Sequence, residues 1–428
     1  MRNEQRNKLL AVTGLLVALA LLAAGPVMAD DTSATTTVGA DAQGAPAPEE
    51  KPKPQFNIYG YVQLDTGYDA KQVDPNWFDV LRPTKLPSYK DQFGADGNTY
   101  MSVRQTRFGV KASAPTSLGD LKTTFEWELF GVGVDAGQTT IRLRHAYLEL
   151  GHFGAGQTWS PFMDPDVFPN SLEYWGPNGM VFFRNVQVRW MPIMGDTKLI
   201  FALERPGASA DAGNYADRVE LQGVKAHFPY PDLSVQYRHQ GDWGHVQLSG
   251  IVRRLEWVDT NPAPTYDLSG SANGWGVNIS SNIKFRKADT LRLSYIYGEG
   301  VENYMNDAPA DLGIQTHPGS ATQPVVGKLL PVTGIVLFYD LTWNDKWTTS
   351  IGASSVTIDN SNGQAPDAFR KGQYALVNLL CTPVKDLMVG GEVQWGKREN
   401  FSDGWSVNDL RVQLSARANF SVLFGGNK

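Results

Sequence analysis

The sequence predicts an all-β fold: a transmembrane antiparallel β-barrel of about sixteen strands whose third loop folds inward. Three observations carry this. Polar and apolar residues alternate with a period of two over runs of ten or more residues, and successive strand side chains point to opposite faces. Tight turns alternate with long polar segments, as in barrels with short periplasmic turns and long outer loops. Past residue 24 no apolar run approaches the roughly 20 residues of a helical span.

The N-terminus sets the compartment. Arg2, Arg6 and Lys8 precede an apolar run from Leu9 to Ala24, followed by Val27, Met28 and Ala29. That order reads as a signal peptide, residues 1–29, cut after Ala29. A membrane anchor is the alternative, but the run is short and a small residue occupies the cleavage position. Residues 30–55 are rich in Ser, Thr, Ala and Pro and read as a disordered periplasmic linker. Residues 56–428 form the barrel. The expected location is the outer membrane of a Gram-negative cell. The single cysteine, Cys381, lies in an apolar run and reads as a small hydrophobe, since it has no partner. Six histidines lie scattered without metal-ligand spacing, so no metal or other cofactor is expected.

Strand by strand the alternation is explicit. Leu410, Val412, Leu414, Ala416, Ala418, Phe420, Val422 and Phe424 share one face, with Arg411, Gln413, Ser415, Arg417, Asn419 and Ser421 on the other. Trp275, Val277, Ile279 and Ile283 oppose Asn278, Ser280, Asn282 and Lys284. Phe125, Trp127 and Leu129 oppose Lys122, Thr124, Glu126 and Glu128. The segments 111–120 and 284–290 read as short connections, and 69–98 and 302–330 as long ones. Two strands break parity. Arg142 and Arg144 share a parity with Ala146, Leu148 and Leu150, which a β-bulge near Arg144 repairs. The run Met101–Ala112 slips between Arg104 and Phe108 in the same way. A contact with a neighbouring subunit is the other explanation for both.

The stretch from Arg142 to Trp190 organises the rest. A strand-like run to Leu150 is followed by a Gly-rich turn, 151–156, and a second run into Trp159. Residues 160–180 are rich in Pro, Asp, Asn, Gly and aromatics, and strand resumes at Val181. A loop this long inside a compact domain is functional or disordered, and this one is too aromatic for disorder. It reads as folded inward.

Within this stretch RLRHAYLEL, GQTWSPFMDP and GPNGMVFFRNVQVRW, with GDWGHVQLSG at 241–250, resemble corresponding blocks of the DcaP-like trimeric outer-membrane porins. The resemblance spans roughly Thr106 to Leu255. It implies a barrel of about sixteen strands, a homotrimer, a third loop that narrows the channel, and uptake of dicarboxylic or related anionic compounds. Arg142, Arg144, Arg184 and Arg189 lie inside the matching blocks and inherit that role by resemblance.

Parity also assigns the lumen. Lys122, Arg238, Arg253, Lys284, Arg292, Arg411 and Arg417 join Arg189 on polar faces, against Asp65, Glu126, Glu128, Glu204 and Glu392. Arg104, Arg107 and Lys111 lie in the neighbouring run. The wall is therefore net basic in a chain of formal charge −6, with the excess acid in loops and linker. A cation on the lipid face costs roughly 2–4 kcal/mol, so these side chains point inward whatever they do. One reading is structural, with arginines paired to glutamates. The other is an anion path built from guanidinium groups. The long loop adds Asp164, Asp166 and Glu173 with its aromatics. They are expected to face the basic wall across the pore, or else to clamp the loop to wall arginines.

The expectation is a passive channel for small, preferentially anionic solutes such as dicarboxylates or aromatic acids, and not an enzyme. A phosphate-selective or general diffusion porin is the alternative within the class. A lipase-type enzyme requires Ser, His and an acid on the outer surface. His145 and His152 qualify by residue type only, and no G-x-S-x-G motif is present. A soluble exported β-protein is disfavoured by strand length. Expected partners are membrane lipid, lipopolysaccharide and small anions, with no nucleic acid.

Overall fold

The computed structural model describes residues 53–425, apart from 261–265 and 287. The expected signal peptide lies outside the described residues. So does the expected linker up to residue 52, and Gln55 already belongs to the first strand.

Sixteen antiparallel strands follow. They are β1 (Gln55–Asp69), β2 (Asn98–Ser102 continued by Arg107–Thr116), β3 (Gly119–Phe130), β4 (Thr139–Leu150), β5 (Phe153–Trp159) and β6 (Arg184–Ile193). Next come β7 (Thr197–Glu204), β8 (Val224–His227 continued by Asp232–Gly241), β9 (Gly244–Asp259), β10 (Gly270–Phe285) and β11 (Asp289–Glu299). The last are β12 (Pro331–Thr342), β13 (Trp347–Ile358), β14 (Phe369–Val384), β15 (Leu387–Asn400) and β16 (Ser406–Gly425). Each strand pairs with the next, and β16 pairs back onto β1 from Gln55↔Gly425 to Asp69↔Arg411. Closure leaves no strand edge exposed, which the hydrocarbon region requires. Loops after β1, β5, β7 and β11 are long, and the turns between them are two or three residues in most cases. A small outer sheet, Ala210–Asp211, Leu312–Thr316 and Val325–Leu329, ties two of the long loops together.

The two faces behave as alternation predicts. On β16, Leu410, Val412 and Leu414 point outward and are about half exposed, whereas Asp409, Arg411 and Gln413 are 0% exposed. The parity breaks are local. Glu126 pairs with His145 but Trp127 pairs with Leu143, so Arg144 is an extra residue bulged out of β4. On β2 the ladder is interrupted over residues 103–106. Neither needs a neighbouring subunit. Gly156 has φ +116°, and a Cβ there would lie 2.1 Å from the carbonyl oxygen of Ala146, so only glycine lets β5 kink beside the bulged strand. Strand resumes at Arg184 rather than Val181, because Val181 instead bridges Met305 in the loop after β11. The Gly-rich turn is also shorter than expected, since β5 begins at Phe153.

The loops after β1, β5 and β11 pack inside the barrel. Leu81, Phe162, Met163, Met180, Tyr304 and Met305 form one apolar cluster with inward residues Ile251, Ile296, Val336 and Phe338 of β9, β11 and β12. One side of the lumen is thus a packed core. Gly179 sits flush on that wall: a Cβ would lie 2.3 Å from the Ser355 carbonyl and 2.7 Å from that of Ile335.

Candidate functional site

The site is the lumen left open between the inward loop 160–183 and the wall of β1–β6. The loop is fixed on the opposite wall by its polar atoms. Asp164 lies 2.7 Å from His245 Nε2, accepts from Ser280 Oγ at 2.7 Å and pairs with Arg238 at 3.3 Å. Burial favours its neutral form, but these partners outweigh that and hold its carboxyl below the usual range. Arg238 also pairs with Asp166 at 2.5 Å. Glu392 accepts the Leu172 and Glu173 amides at 2.8 and 3.0 Å. Asn378 donates to the Asn170 carbonyl at 2.7 Å, and Ser354 to Asn178 at 2.6 Å. Glu173 is itself buried, accepting from Leu81 N at 3.1 Å and from Gly176 N. Burial pushes its pKa up to about 8.

On the β2–β6 side four guanidinium groups converge on two carboxylates. Arg144, displaced by the bulge, donates to Glu126 at 2.6 Å and to Glu128 at 2.7 Å. Arg107 reaches Glu128 at 3.2 Å and Glu126 at 3.8 Å. Arg142 and Arg184 stand 3.6 and 3.9 Å from Glu128. Tyr174 of the inward loop donates its hydroxyl to Glu128 and stacks on Phe130 at 4.2 Å. Trp159, at the turned-in end of β5, lies under Arg184 at 4.7 Å and Arg144 at 5.5 Å, a cation–π geometry. Two buried donors in this cluster, Arg107 Nε and Arg184 Nη1, make no hydrogen bond.

Three cavities run through this region. An outer one of about 210 Å³ touches Arg82, Arg142, Tyr174, Phe182 and Glu302. A middle one of about 280 Å³ shares Tyr174 and Phe182 with it. An inner vestibule of about 740 Å³ shares Arg107, Arg144 and Trp159 with the middle one and opens toward Gln55 and Asn57 at the turn end of the barrel. Shared walls set them side by side along the open lumen. Their linings hold eight cations, Arg82, Arg107, Lys111, Lys122, Arg142, Arg144, Arg189 and Arg417, against four acids, Glu126, Glu149, Glu173 and Glu302. The passage is therefore basic along its length.

A closed sixteen-strand barrel with a loop folded into its lumen is the porin architecture, and a family model described as DcaP outer membrane protein matches residues 41–420. The chain belongs to this family. It is accordingly a protein of the Gram-negative outer membrane, with the DcaP family's barrel and channel architecture. The crystal structure of the outer membrane channel DcaP of Acinetobacter baumannii is 20% identical, with a TM-score of 0.71, covering 86% of this chain and 98% of that one. An anion-selective porin from Comamonas acidovorans is 10% identical with a TM-score of 0.54, covering 86% and 100%. The trimer form of Vibrio cholerae OmpT is 11% identical with a TM-score of 0.51, with the same coverage. No curated protein matches the chain.

Within this DcaP-family barrel the residues singled out from sequence fall into two groups. Arg107, Arg142, Arg144, Arg189, Lys122, Glu126 and Arg417 line the passage, with Arg184 and Glu128 in the cluster at its neck. Arg189 donates to Gln187 and the Trp159 carbonyl. Arg417 donates to Gln63 at 2.5 Å. The others hold structure. Arg104 is buried against Asp79 at 2.5 Å and bonds carbonyls of the loop after β3. Arg253 lies between Asp232 and Asp311, both at 2.9 Å. Arg292 pairs with Asp340, and Arg411 with Asp69, each at 2.6 Å. Lys284 sits exposed at the end of β10. Asp164, Asp166 and Glu392 clamp the loop to the far wall, and Glu173 borders the middle chamber with its oxygens turned to backbone amides. The acids that meet the basic cluster are Glu126 and Glu128 of β3. Asp164, Asp166 and His245 bring three donor atoms within 4.8 Å of one another, but Arg238 already supplies the positive charge there. Sequence reasoning did not single out Arg82 or Glu302, which reach the passage from loops. Trp159 was missed as a pore residue because its parity points outward and only its place at a strand end turns it in.

Proposed function

We propose that the protein is a passive channel that prefers small hydrophilic anions, dicarboxylates and aromatic acids foremost, and carries out no catalysis. One observation carries this reading: four guanidinium groups surround two carboxylates at the neck, and two of their buried N–H donors make no hydrogen bond. An entering carboxylate supplies both the missing acceptors and the missing charge, and arginine binds carboxylates bidentately. Cations continue into the inner vestibule at Arg189, Lys122 and Lys111, where a second carboxylate finds a partner. The aromatic faces of Trp159, Tyr174 and Phe182 flank the neck and suit a ring-bearing acid. The anion selectivity of the Comamonas acidovorans neighbour points the same way. A phosphate-selective site calls for clustered lysines, and the neck cations are all arginine. His145 faces inward against Thr158 at 3.0 Å, and His152 binds the Met191 carbonyl at 2.7 Å. His145 is thus withdrawn from the outer surface where a lipase needs it, and His152, exposed in the turn after β4, is engaged by that backbone carbonyl.

The assembly we propose is a homotrimer, supported by the trimer form of the Vibrio cholerae neighbour. Strands β5 and β7 have seven and eight residues, fewer than the roughly 9–11 that cross lipid at a tilt, so that low wall suits a subunit contact. Elsewhere the outward apolar belt meets lipid and, in the outer leaflet, lipopolysaccharide. Migration of the unheated protein as a trimer on a gel, collapsing to monomer on boiling, checks the assembly.

The function is tested by adding succinate or a diamine of equal length, 1,4-diaminobutane, to a single channel carrying chloride. The proposal expects succinate to interrupt the current and the diamine to leave it unchanged. Stronger block by the diamine overturns it.

A further inference from the structure

The outer chamber holds a group that an anion path alone does not require. Glu302, in the loop after β11, is 1% exposed and lines this chamber beside Arg142. Neither of its carboxyl oxygens makes a hydrogen bond. The N–H groups of Val301 and Glu302 lie near enough to favour its anion, but not in bonding geometry. Burial, with Asp311 beside it, pushes the carboxyl well above its usual range. Arg253, the cation nearby, is already taken by Asp232 and Asp311. Buried polar groups are ordinarily satisfied, so an orphan carboxyl on a residue of a cavity wall needs a reason.

The rest of the chamber suggests one. Arg142 is lightly committed, with its nearest carboxylate oxygen 3.6 Å away and a quarter of its side chain exposed. Trp175, Phe182, Phe183 and Met305 line the same chamber. At about 210 Å³ the chamber has room for a solute the size of an amino acid.

We infer that this chamber is a subsite for amphoteric solutes: a carboxylate and a protonated amine on one short apolar or aromatic frame. Arg142 takes the carboxylate and Glu302 the ammonium, while the frame lies on the aromatic wall. An ammonium supplies Glu302 with both the hydrogen-bond donors and the counter-charge it lacks. Burial biases the Glu302 carboxyl toward its neutral form, which weakens its repulsion of a plain anion, so the subsite adds a preference without closing the anion path. The inference rests on that path, because the carboxylate end must pass from Arg142 to Arg144 and Arg107.

The test compares three compounds that share one ring: phenylalanine, 3-phenylpropionate, which lacks the amine, and 2-phenylethylamine, which lacks the carboxylate. Each is added at equal concentration to single channels of the wild type and of Glu302→Gln, and the fractional block of chloride current is read. The expected wild-type order is phenylalanine, then 3-phenylpropionate, then the amine. Glu302→Gln brings phenylalanine down to the level of 3-phenylpropionate, whose own block stays unchanged. Equal block by phenylalanine and 3-phenylpropionate in the wild type, or an advantage that survives Glu302→Gln, overturns the subsite while leaving the anion path standing. An amine that outblocks both acids overturns the anion path as well. Should Glu302→Gln not fold, the wild-type comparison decides alone, since phenylalanine and 3-phenylpropionate differ only by the amine.

Discussion

On the β8–β16 side of the lumen, Arg238, Arg253, Arg292 and Arg411 face six carboxylates: Asp164, Asp166, Asp232, Asp311, Asp340 and Asp69. On the β2–β6 side, Arg107, Arg142, Arg144 and Arg184 share Glu126 and Glu128. Both sets point into the lumen and both avoid lipid for the same reason. The first set is saturated with acid and pins the loops that fill half the barrel. The second is short of acid and borders the half left open. An inward arginine is therefore not a pore residue by virtue of its face. The ratio of guanidinium to carboxylate around it separates a clamp from a path.

The comparison breaks most sharply at Arg253. Removing one partner from a buried ion cluster costs about 3–5 kcal/mol, so Arg253→Ala is expected to lower the unfolding midpoint in detergent strongly. Channels that still form keep their ion preference. A loss of anion preference with unchanged stability would place Arg253 on the path instead.

Asp164→Asn acts on the loop. Its bonds to Arg238, Ser280 and His245 weaken, at roughly 1.5–3 kcal/mol for hydrogen bonds to a charged group. Single-channel conductance is expected to rise and grow noisier as the loop loosens. Steady conductance at the wild-type level would mean that the loop's remaining bonds suffice.

Arg142→Ala sharpens the contrast from the other side. Its pair with Glu128 is long and part-exposed, and such pairs contribute about 1 kcal/mol or less. The unfolding midpoint should barely move while anion preference falls.

The smallest effect is a pH slope. Glu173 has its pKa raised by burial to about 8 from an ordinary 4.5. The folded state keeps this proton where the unfolded state releases it, so stability at the loop junction falls as pH rises from about 4.5 to 8. Amide-exchange protection of Leu172 and Gly176, corrected for intrinsic rates, should decline over that window, and Glu173→Gln should flatten the decline.

The barrel was legible because lipid imposes one rule on every strand. Leu410 to Phe424 can be assigned to faces without knowing any neighbour, and a slip such as that at Arg144 stands out against it. The pairing of the arginines was not legible. Arg253 meets Asp311 across 58 residues and Arg82 meets Asp307 across 225, contacts set by how the loops fold into the lumen. The loop acids show the same limit. Their presence near a basic wall was readable, but the wall they turn to depends on Arg238, His245 and Ser280 converging on Asp164. Trp159 and Arg184 mark a third case, since strand ends twist away from the parity that governs strand middles.

The central claim, that acid-poor arginines make the open half an anion path, is tested most directly by the zero-current potential of a planar bilayer under a salt gradient. The wild type should show anion preference, and Arg142→Ala with Arg189→Ala should reduce it. Cation preference in the wild type, or a preference untouched by the double substitution, would contradict the account.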